Sequence, residues 1–289
     1  MFKKDMTEAV KKFLTDYSIE VTPRVVLNID NFVDILPKGT LVYIAYIEGT
    51  PIEDMVKTSR ELKENGFIPM PHFPARIIKD KQNLNDWISK YKNEAGVEDA
   101  LLIAGGLEKP YGEFDSSMQL IETGLFDNAG FKNLHFAGHP EGSLDIDPDG
   151  SRNNVNEALS WKKEFSSRTD ASVALTTQFC FDAKVVIDWV EEIQTIGIDI
   201  PIHIGIAGPA KLQTLIKYSI ECGVGTSLKI LQKRAKDITK LLLPYKPTEI
   251  IKDLADYKNN NPEFNIEKVH FFPFGGVKQT SNFVKDFYI

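Results

Sequence analysis

The chain alternates between two kinds of segment along almost its whole length. Short apolar runs rich in β-branched and aromatic residues are separated by longer segments with the 3.6-residue spacing of helices. Runs such as LVYIAY and IPIHIGI are continuously apolar, which is typical of parallel strands covered on both faces. The predicted strands are Ser18–Thr22, Thr40–Tyr46, Phe67–Met70, Ala100–Ala104, Leu134–Ala137, Ser172–Thr177, Pro201–Ile206 and Lys268–Phe272.

Helix-capping residues mark the ends of several segments between these strands. Asp182 is suited to cap the helix that begins AKVVIDWV, and Pro51 and Pro209 are suited to a first helical turn. The predicted helices are Pro51–Asn65, Leu84–Glu94, Ser116–Phe126, Asn154–Ser167, Ala183–Ile196, Pro209–Cys222 and Thr248–Lys258, with an extra helix near Ser227–Leu242.

This order of elements predicts an α/β fold, a (β/α)8 TIM barrel with an extra helix between strands seven and eight. An open, doubly wound sheet gives a similar pattern and is the alternative. The length of 289 residues suits one barrel, which typically needs about 250 residues. Since no linker, repeat or low-complexity tract divides the chain, we expect a single domain over residues 1–289.

Charge and cysteine content narrow the class of partner. The formal net charge is −7, which disfavours nucleic acid, because duplex binding usually needs a basic face. No run approaches the roughly 20 apolar residues of a membrane span, and the acidic residues Asp5 and Glu8 interrupt any signal-like start. Cys180 and Cys222 are too few for a disulfide framework. We expect a cytoplasmic protein with a small-molecule ligand and no membrane or nucleic-acid partner.

Polar residues near the carboxyl ends of the strands are the candidates for chemistry, because barrel active sites are built there. Glu20 lies in an otherwise apolar strand, where burial would raise its pKa toward that of a general acid; the alternative is a glutamate paired with Arg24. His72, just past strand three, is either an acid–base group or a satisfied core histidine. Gln178, at the end of strand six, offers amide donors and an acceptor to a heteroaromatic ring, or binds loop backbone.

Glycine-rich loops and one polar loop give weaker indications. Gly105–Gly106 and Gly275–Gly276 allow close approach of a ligand, but they are also ordinary turn residues. The loops GIAGP and FGG follow strands seven and eight, where many barrels bind phosphate. Asp145–Asn154 is the most loop-like segment and is a candidate lid.

The sequence gives little support to a metal site. His135, His139, Glu141 and Asp145 lie near one another in sequence, but they lack HxH or HExxH spacing. His135 would also point to the opposite side of its strand from its sequence neighbours. We therefore expect no metal.

Taken in order, the strand-end motifs resemble those of the methylenetetrahydrofolate reductase family over most of the chain. The Glu20 strand, IEVTPR, stands where the family has an FEFFPP-type motif, and Pro71-His72-Phe73 matches its third strand. HPEG at positions 139–142 is similar to the turn after the family's fifth strand. The most specific match is TTQFCFD at positions 176–182, followed by GIDIPI and GI, and HFF at positions 270–272 resembles the eighth strand.

The resemblance implies the reduction of 5,10-methylenetetrahydrofolate to 5-methyltetrahydrofolate, with hydride passing from NAD(P)H through noncovalent FAD. A homo-oligomer is also possible. Glu20 would be the catalytic general acid that helps to open the imidazolidine ring. The implied substrate contacts are Gln178, Phe179 and Phe272, and the implied cofactor contacts are His72, Gly105, Gly106, His139 and Lys162.

The chain departs from the family around the flavin, as expected of a divergent branch. The family's fourth strand ends in Arg-Gly-Asp, where this chain has Ala104-Gly105-Gly106. A threonine on the second strand is replaced by Ala45, and the tyrosine of the fifth-strand motif by His139. FAD binding is expected, with a flavin-independent version of the reaction as the alternative. A pterin-dependent methyltransferase on the same barrel and a catalytically silent folate-binding protein are further alternatives.

Overall fold

Eight parallel strands, paired in sequence order from β1 to β8, form a closed barrel. The computed structural model describes residues 2–29, 31–235 and 244–288. This topology confirms the predicted (β/α)8 TIM barrel, and the open, doubly wound alternative is wrong. The strands are β1 (Ser18–Val21), β2 (Leu41–Ile44), β3 (Ile68–Pro74), β4 (Asp99–Ile103), β5 (Asn133–Gly138), β6 (Ser172–Cys180), β7 (Ile202–Ala207) and β8 (Ile266–Phe272).

Helices separate the strands, as the apolar periodicity predicts. They are α1 (Phe2–Leu14), α2 (Pro23–Leu27), α3 (Ile52–Glu64), α4 (Lys81–Ala95), α5 (Ser117–Glu122), α6 (Leu125–Asn128), α7 (Asn153–Ser166), α8 (Ala183–Thr195), α9 (Leu212–Glu221), α10 (Gly225–Ala235), α11 (Thr248–Asn260) and α12 (Val277–Lys285). The extra helix before strand eight is confirmed as α10, while residues 236–242 of that prediction lie outside the described residues.

One predicted helix is divided in the structure and one predicted helix cap is confirmed, each for a clear local reason. The predicted helix Ser116–Phe126 is divided into α5 and α6, because Gly124 adopts a left-handed conformation with φ of 72°. The cap at Asp182 is confirmed, since its side chain accepts a hydrogen bond from the backbone N–H of Lys184. Helices α1, α2 and α12 were not predicted, because they lie outside the regular alternation of strand and crossover.

Strands β3 and β6 are longer than predicted, and both extensions contain candidate site residues. The sequence predicts that strand three ends at Met70, since prolines remove ladder donors. In the structure β3 pairs with β2 up to Pro71 and then with β4 from His72 onwards, so His72 lies inside the strand. Strand β6 likewise continues to Cys180, so Gln178 does not end it.

The chain divides into two compact units, each with its own set of strand ends. The Glu20 unit comprises Glu20–Ala137 and Glu157–Leu175. The Gln178 unit comprises residues 1–19, Gly138–Asn156 and Thr176–Ile289. The single-domain expectation stays a prediction, and each unit is described by itself below.

In each unit the continuously apolar strands pack against helices, and the core lies between the two. In the Gln178 unit every residue of β7 is buried, as expected for a parallel strand covered on both faces. In the Glu20 unit, Phe73 of β3 packs against Tyr91, Phe126 and Phe131. Among the described residues, no helix has both the length and the apolar character that crossing a membrane requires.

Candidate active site

The Glu20 unit contains a carboxylate–imidazole pair on β1 and β3, the two strands on either side of β2. Glu20 is the third residue of β1, and its Oε2 lies 3.4 Å from Nε2 of His72 on β3. The Glu20 side chain is 20% exposed, whereas the His72 side chain is 9% exposed. A carboxylate in such surroundings keeps access to a ligand, and the imidazole lies close enough to influence its proton. Nε2 of His72 is buried and makes no hydrogen bond within the described residues. The structure therefore pairs Glu20 with His72.

A second polar pair lies on β2 and β5 of the same unit. The hydroxyl of Tyr43 is 2.7 Å from Nδ1 of His135, and both residues are buried. Because β2 and β5 are not neighbouring strands, this contact crosses the interior of the barrel. Tyr43 also packs with Met70 and Leu101 in a small apolar cluster. His135 is therefore a core histidine whose Nδ1 is satisfied by the Tyr43 hydroxyl.

Gly105 and Gly106 follow β4 in the Glu20 unit. Gly105 has φ of 100°, a conformation that favours glycine, and a Cβ there would lie 3.1 Å from Cβ of Pro74. Open space surrounds the position of a Cβ at Gly106 within the described residues. The turn thus requires Gly105, while Gly106 leaves room for a ligand.

Arg76, which no sequence motif identifies, holds this loop. The Arg76 Nε donates to the carboxylate of Asp115 over 2.7 Å, and its Nη1 donates to the carbonyl of Leu107 over 2.8 Å. Arg76 follows β3, whereas the other two residues follow β4. Arginine and aspartate are thus present near the strand-four loop, but they bind each other and the backbone. Only the tertiary structure reveals this pair, because the two residues are distant in sequence.

Lys162 on α7 is buried in the Glu20 unit. Its Nζ donates to the carbonyl of Ala137 over 2.9 Å and lies 5.9 Å from the centroid of the Phe136 ring. Burial away from water lowers the pKa of Lys162 to about 8. A lysine with this pKa exists both as the ammonium ion and as the neutral amine near neutral pH, whereas a surface lysine is almost entirely protonated there.

In their observed contacts, these side chains do not fit a flavin site. His72 faces Glu20, Lys162 is bound to the backbone of β5, and the guanidinium of Arg76 is held by Asp115. Ala45 is 7% exposed and carries no polar group toward a ligand. FAD binding stays a prediction, and the mechanism proposed below contains no step through FAD.

Gln178 in the other unit is bound to a helix end. Its Nε2 donates to the carbonyl of Cys222, at the carboxyl end of α9, over 3.2 Å. Glu141, which follows β5, accepts hydrogen bonds from the backbone N–H and the hydroxyl of Ser227 in the first turn of α10. Helices α9 and α10 therefore contact residues near the carboxyl ends of β5 and β6. The regular crossover to β8 is α11, which packs against α1 and α8.

The aromatic side chains of the Gln178 unit differ in their access to solvent. Phe179 is 1% exposed and packs edge to face against Phe272 and Phe274. Phe272 and Phe274 are both partly exposed, and Phe274 stacks on Tyr218 of α9. Phe272 therefore remains a candidate for ligand contact, whereas the burial of Phe179 favours a supporting role. The sequence does not identify Tyr218 and Phe274 as a pair, because their contact joins two distant segments.

The loop after β5 is more ordered than a candidate lid would be. His139 lies in a turn, where its carbonyl accepts from the backbone N–H of Gly142 over 3.0 Å. Asp147 is 1% exposed, and its carboxylate accepts from the backbone N–H groups of Asn154 and Val155, each over 3.0 Å. These bonds tie the segment Asp145–Asn154 to the start of α7, which argues against a freely moving lid.

Glycines after β7 and β8 serve close packing. A Cβ at Gly208 would overlap the side chain of Thr280, and a Cβ at Gly275 would overlap the carbonyl oxygen of Pro209. These close contacts account for the glycines in the loops GIAGP and FGG, so a bound phosphate is not needed to explain why glycine occurs there. Over the described residues, no group of three or more His, Cys, Asp or Glu side chains is arranged to hold a metal ion.

The comparisons with known proteins add no functional assignment. No protein-family model matches the chain. Among solved structures, the chain is similar to two mutant forms of the tryptophan synthase alpha-subunit from the hyperthermophile Pyrococcus furiosus. The first match has 13% identity and a TM-score of 0.41, and covers 84% of this chain and 99% of that chain. The second has 12% identity and a TM-score of 0.40, with the same coverage of 84% and 99%. Similarity at this level carries no argument about reaction or substrate.

Proposed function

We propose that the protein is a methylenetetrahydrofolate reductase-like oxidoreductase, which reduces 5,10-methylenetetrahydrofolate to 5-methyltetrahydrofolate with NAD(P)H. The single observation that carries the proposal is the Glu20–His72 pair at 3.4 Å. It supplies a partly exposed carboxylate at the strand end where the sequence resemblance requires a general acid. The substrate itself comes from the resemblance, above all from the segment TTQFCFD.

The chemistry needs one proton and one hydride. Glu20 donates its proton to the N10 nitrogen of the substrate, and the bond between N10 and the bridging carbon breaks to leave an iminium at N5. Hydride from C4 of NAD(P)H then adds to that carbon, so NAD(P)H is oxidised to NAD(P)+ and the carbon becomes a methyl group. Glu20 recovers its proton from solvent. His72 holds the carboxylate in place during this cycle through its Nε2 contact.

Direct transfer of hydride is the version that the residues favour. His72 and Lys162 are both engaged within the Glu20 unit and do not fit a flavin role. Gln178 would orient the substrate or the nicotinamide through its amide, as the resemblance implies. The visible absorption spectrum of the purified protein tests this version. A colourless protein that oxidises NADH with methylenetetrahydrofolate supports direct transfer, and a yellow flavoprotein contradicts it.

The experiment that tests the reaction is the substitution Glu20→Gln. The amide keeps the shape of the side chain but cannot donate a carboxylic proton, so we expect turnover to fall about 100-fold or more, the usual contribution of a general acid. Turnover would be measured with deuterated NADH by following deuterium in the methyl product. Glu48→Gln, in an exposed position after β2, is the matched control and should keep full activity. Full activity in Glu20→Gln would overturn the proposal.

A pterin-dependent methyltransferase is a second candidate, because the side chains do not fit a flavin. It predicts transfer of a methyl group from methyltetrahydrofolate to an acceptor with no requirement for nicotinamide. Isotope-labelled methyltetrahydrofolate, incubated without NAD(P)H, distinguishes the two reactions. Loss of label from the folate under these conditions would favour the methyltransferase.

A further inference from the structure

Three aromatic rings in the Gln178 unit form a near-parallel column. Tyr218 and Phe274 stack with their centroids 4.4 Å apart and an interplanar angle of 18°. Phe274 and Phe272 follow at 5.9 Å and 17°. Aromatic pairs in cores more often meet offset or edge to face, and edge contacts do prevail elsewhere in this unit. A column of parallel rings presents flat faces in one orientation.

The column is held rigidly from one side. Phe179 is buried and supports Phe272 and Phe274 with its edge, at centroid distances of 5.6 and 4.9 Å. The backbone N–H of Phe274 and that of Gly208 both donate to the carbonyl of Phe272 over 2.9 Å. Rings fixed in this way lose little conformational freedom when a ligand binds, so stacking on them is favourable.

The three rings are nevertheless not enclosed. Tyr218, Phe272 and Phe274 are each partly exposed, although the supporting Phe179 is buried. All three pack against the buried cluster that contains Phe179, so the column completes this core while part of each ring stays exposed. Aromatic residues that are rigid, parallel and still accessible are suited to bind a flat ring.

A side-chain amide contacts the end of the helix that carries Tyr218. Gln178 precedes Phe179 in β6, and its Nε2 donates to the carbonyl of Cys222, one helical turn after Tyr218 on α9. Its amide oxygen can accept, and its second N–H can donate, so the group can pair with an amide on a ligand. Stacking faces and this amide together select a flat ring that carries an amide.

We propose that Tyr218, Phe274 and Phe272 form a stacking site for a flat, amide-bearing heteroaromatic ring, with Gln178 binding the amide. Two such rings belong to the proposed reaction, the pterin of the folate and the nicotinamide of NAD(P)H, so this inference rests on the proposed function. The site adds Tyr218 and Phe274 to the residues that contact substrate.

The test measures binding of two probes to the full chain, pterin-6-carboxylate and nicotinamide mononucleotide, by ligand-observed NMR and titration. We expect one of them to bind, and Phe274→Leu and Tyr218→Leu to weaken that binding about ten-fold, the scale of one lost stacking contact. Phe274→Trp keeps a stacking face and should retain binding. Phe287→Leu, a partly buried ring on the same unit that packs only against Phe283 in the described contacts, is the matched control.

The outcomes separate this site from the proposed reaction. If Phe274→Leu and Tyr218→Leu bind both probes as tightly as the parent, the stacking site is overturned, whether or not the protein reduces folate. If they weaken probe binding in a protein without folate reductase activity, the site stands and the proposed function fails. Weakening by Phe287→Leu to the same degree would show a general loss of folding and would also overturn the site.

Discussion

The Glu20–His72 pair and the aromatic column are two candidate regions built in opposite ways. In the first, two polar side chains from β1 and β3 meet at 3.4 Å in surroundings that are mostly buried. In the second, the aromatic rings of Phe272 on β8, Phe274 in the following loop and Tyr218 on α9 are stacked, and Gln178 on β6 provides an amide at the end of α9. The first region is suited to move a proton, and the second to hold a ring still. Proton transfer and ligand positioning are therefore expected to fail separately when each region is changed.

The largest expected effect concerns the support of the column. Phe179→Ala removes a fully buried ring beneath Phe272 and Phe274, so the free energy of unfolding should fall by about 3–5 kcal/mol. Urea denaturation followed by circular dichroism measures this loss. A variant of unchanged stability with a raised KM for folate would instead make Phe179 a direct ligand contact, as the sequence resemblance implies.

The next effect concerns the buried lysine of the Glu20 unit. Because folding lowers the pKa of Lys162 from 10.5 to about 8, the folded state loses its proton first as the pH rises. The cost of burying the charge is full below pH 8 and disappears between about pH 8 and 10.5, so stability should rise by about 3 kcal/mol over this range. Lys162→Met should lack this rise.

The comparison uses urea denaturation of the parent and of Lys162→Met at several pH values. Lys163→Met, on the same helix but less buried, is the control and should keep the pH dependence of the parent. An identical pH dependence in the parent and in Lys162→Met would show that the lysine is charged in the folded protein, as it would be beside an anionic group of a bound cofactor.

The smallest of the three effects tests the division between the two regions. His72→Asn removes the imidazole beside Glu20, and we expect kcat to fall about 10- to 100-fold, less than for loss of the acid itself. The KM for folate should change little, because positioning of the acid is lost and binding is kept. Added imidazole should restore part of kcat.

His135→Asn is the matched control, since His135 is equally buried in the same unit but binds Tyr43. The kcat of His135→Asn should stay within about two-fold of the parent value, because no general acid depends on His135. A large rise in KM with unchanged kcat in His72→Asn would mean that His72 contacts a ligand, as the resemblance implies, and does not position Glu20.

The fold was more predictable from sequence than the site. Buried parallel strands are continuously apolar, so LVYIAY and IPIHIGI reveal the strands β2 and β7 within two residues of their ends. The prediction was less accurate for β3, where prolines mask the second half of the strand, and for the helix that Gly124 divides. Local propensity decides most of the barrel, and it fails where pairing with a neighbouring strand overrides it.

The site depends on contacts between distant segments, which one sequence does not record. Glu20 and Gln178 were found because polar residues in apolar strands are conspicuous, but their partners His72 and Cys222 are set by the tertiary fold. Burial of Phe179 and exposure of Phe274 could not be separated, since both belong to aromatic runs. The Arg76–Asp115 pair likewise leaves no local pattern in the sequence.

The position of Cys222 offers a practical reporter of the Gln178 unit. The chain has two cysteines, and Cys180 is buried, with its pKa raised by burial, while Cys222 is exposed. A maleimide dye added at neutral pH should therefore attach at one place without any mutation. That place is the helix end whose carbonyl accepts from Gln178. The fluorescence of the labelled, unmutated protein should then change when a ligand displaces the Gln178 amide from this carbonyl. Ligands can therefore be screened by fluorescence without a turnover assay.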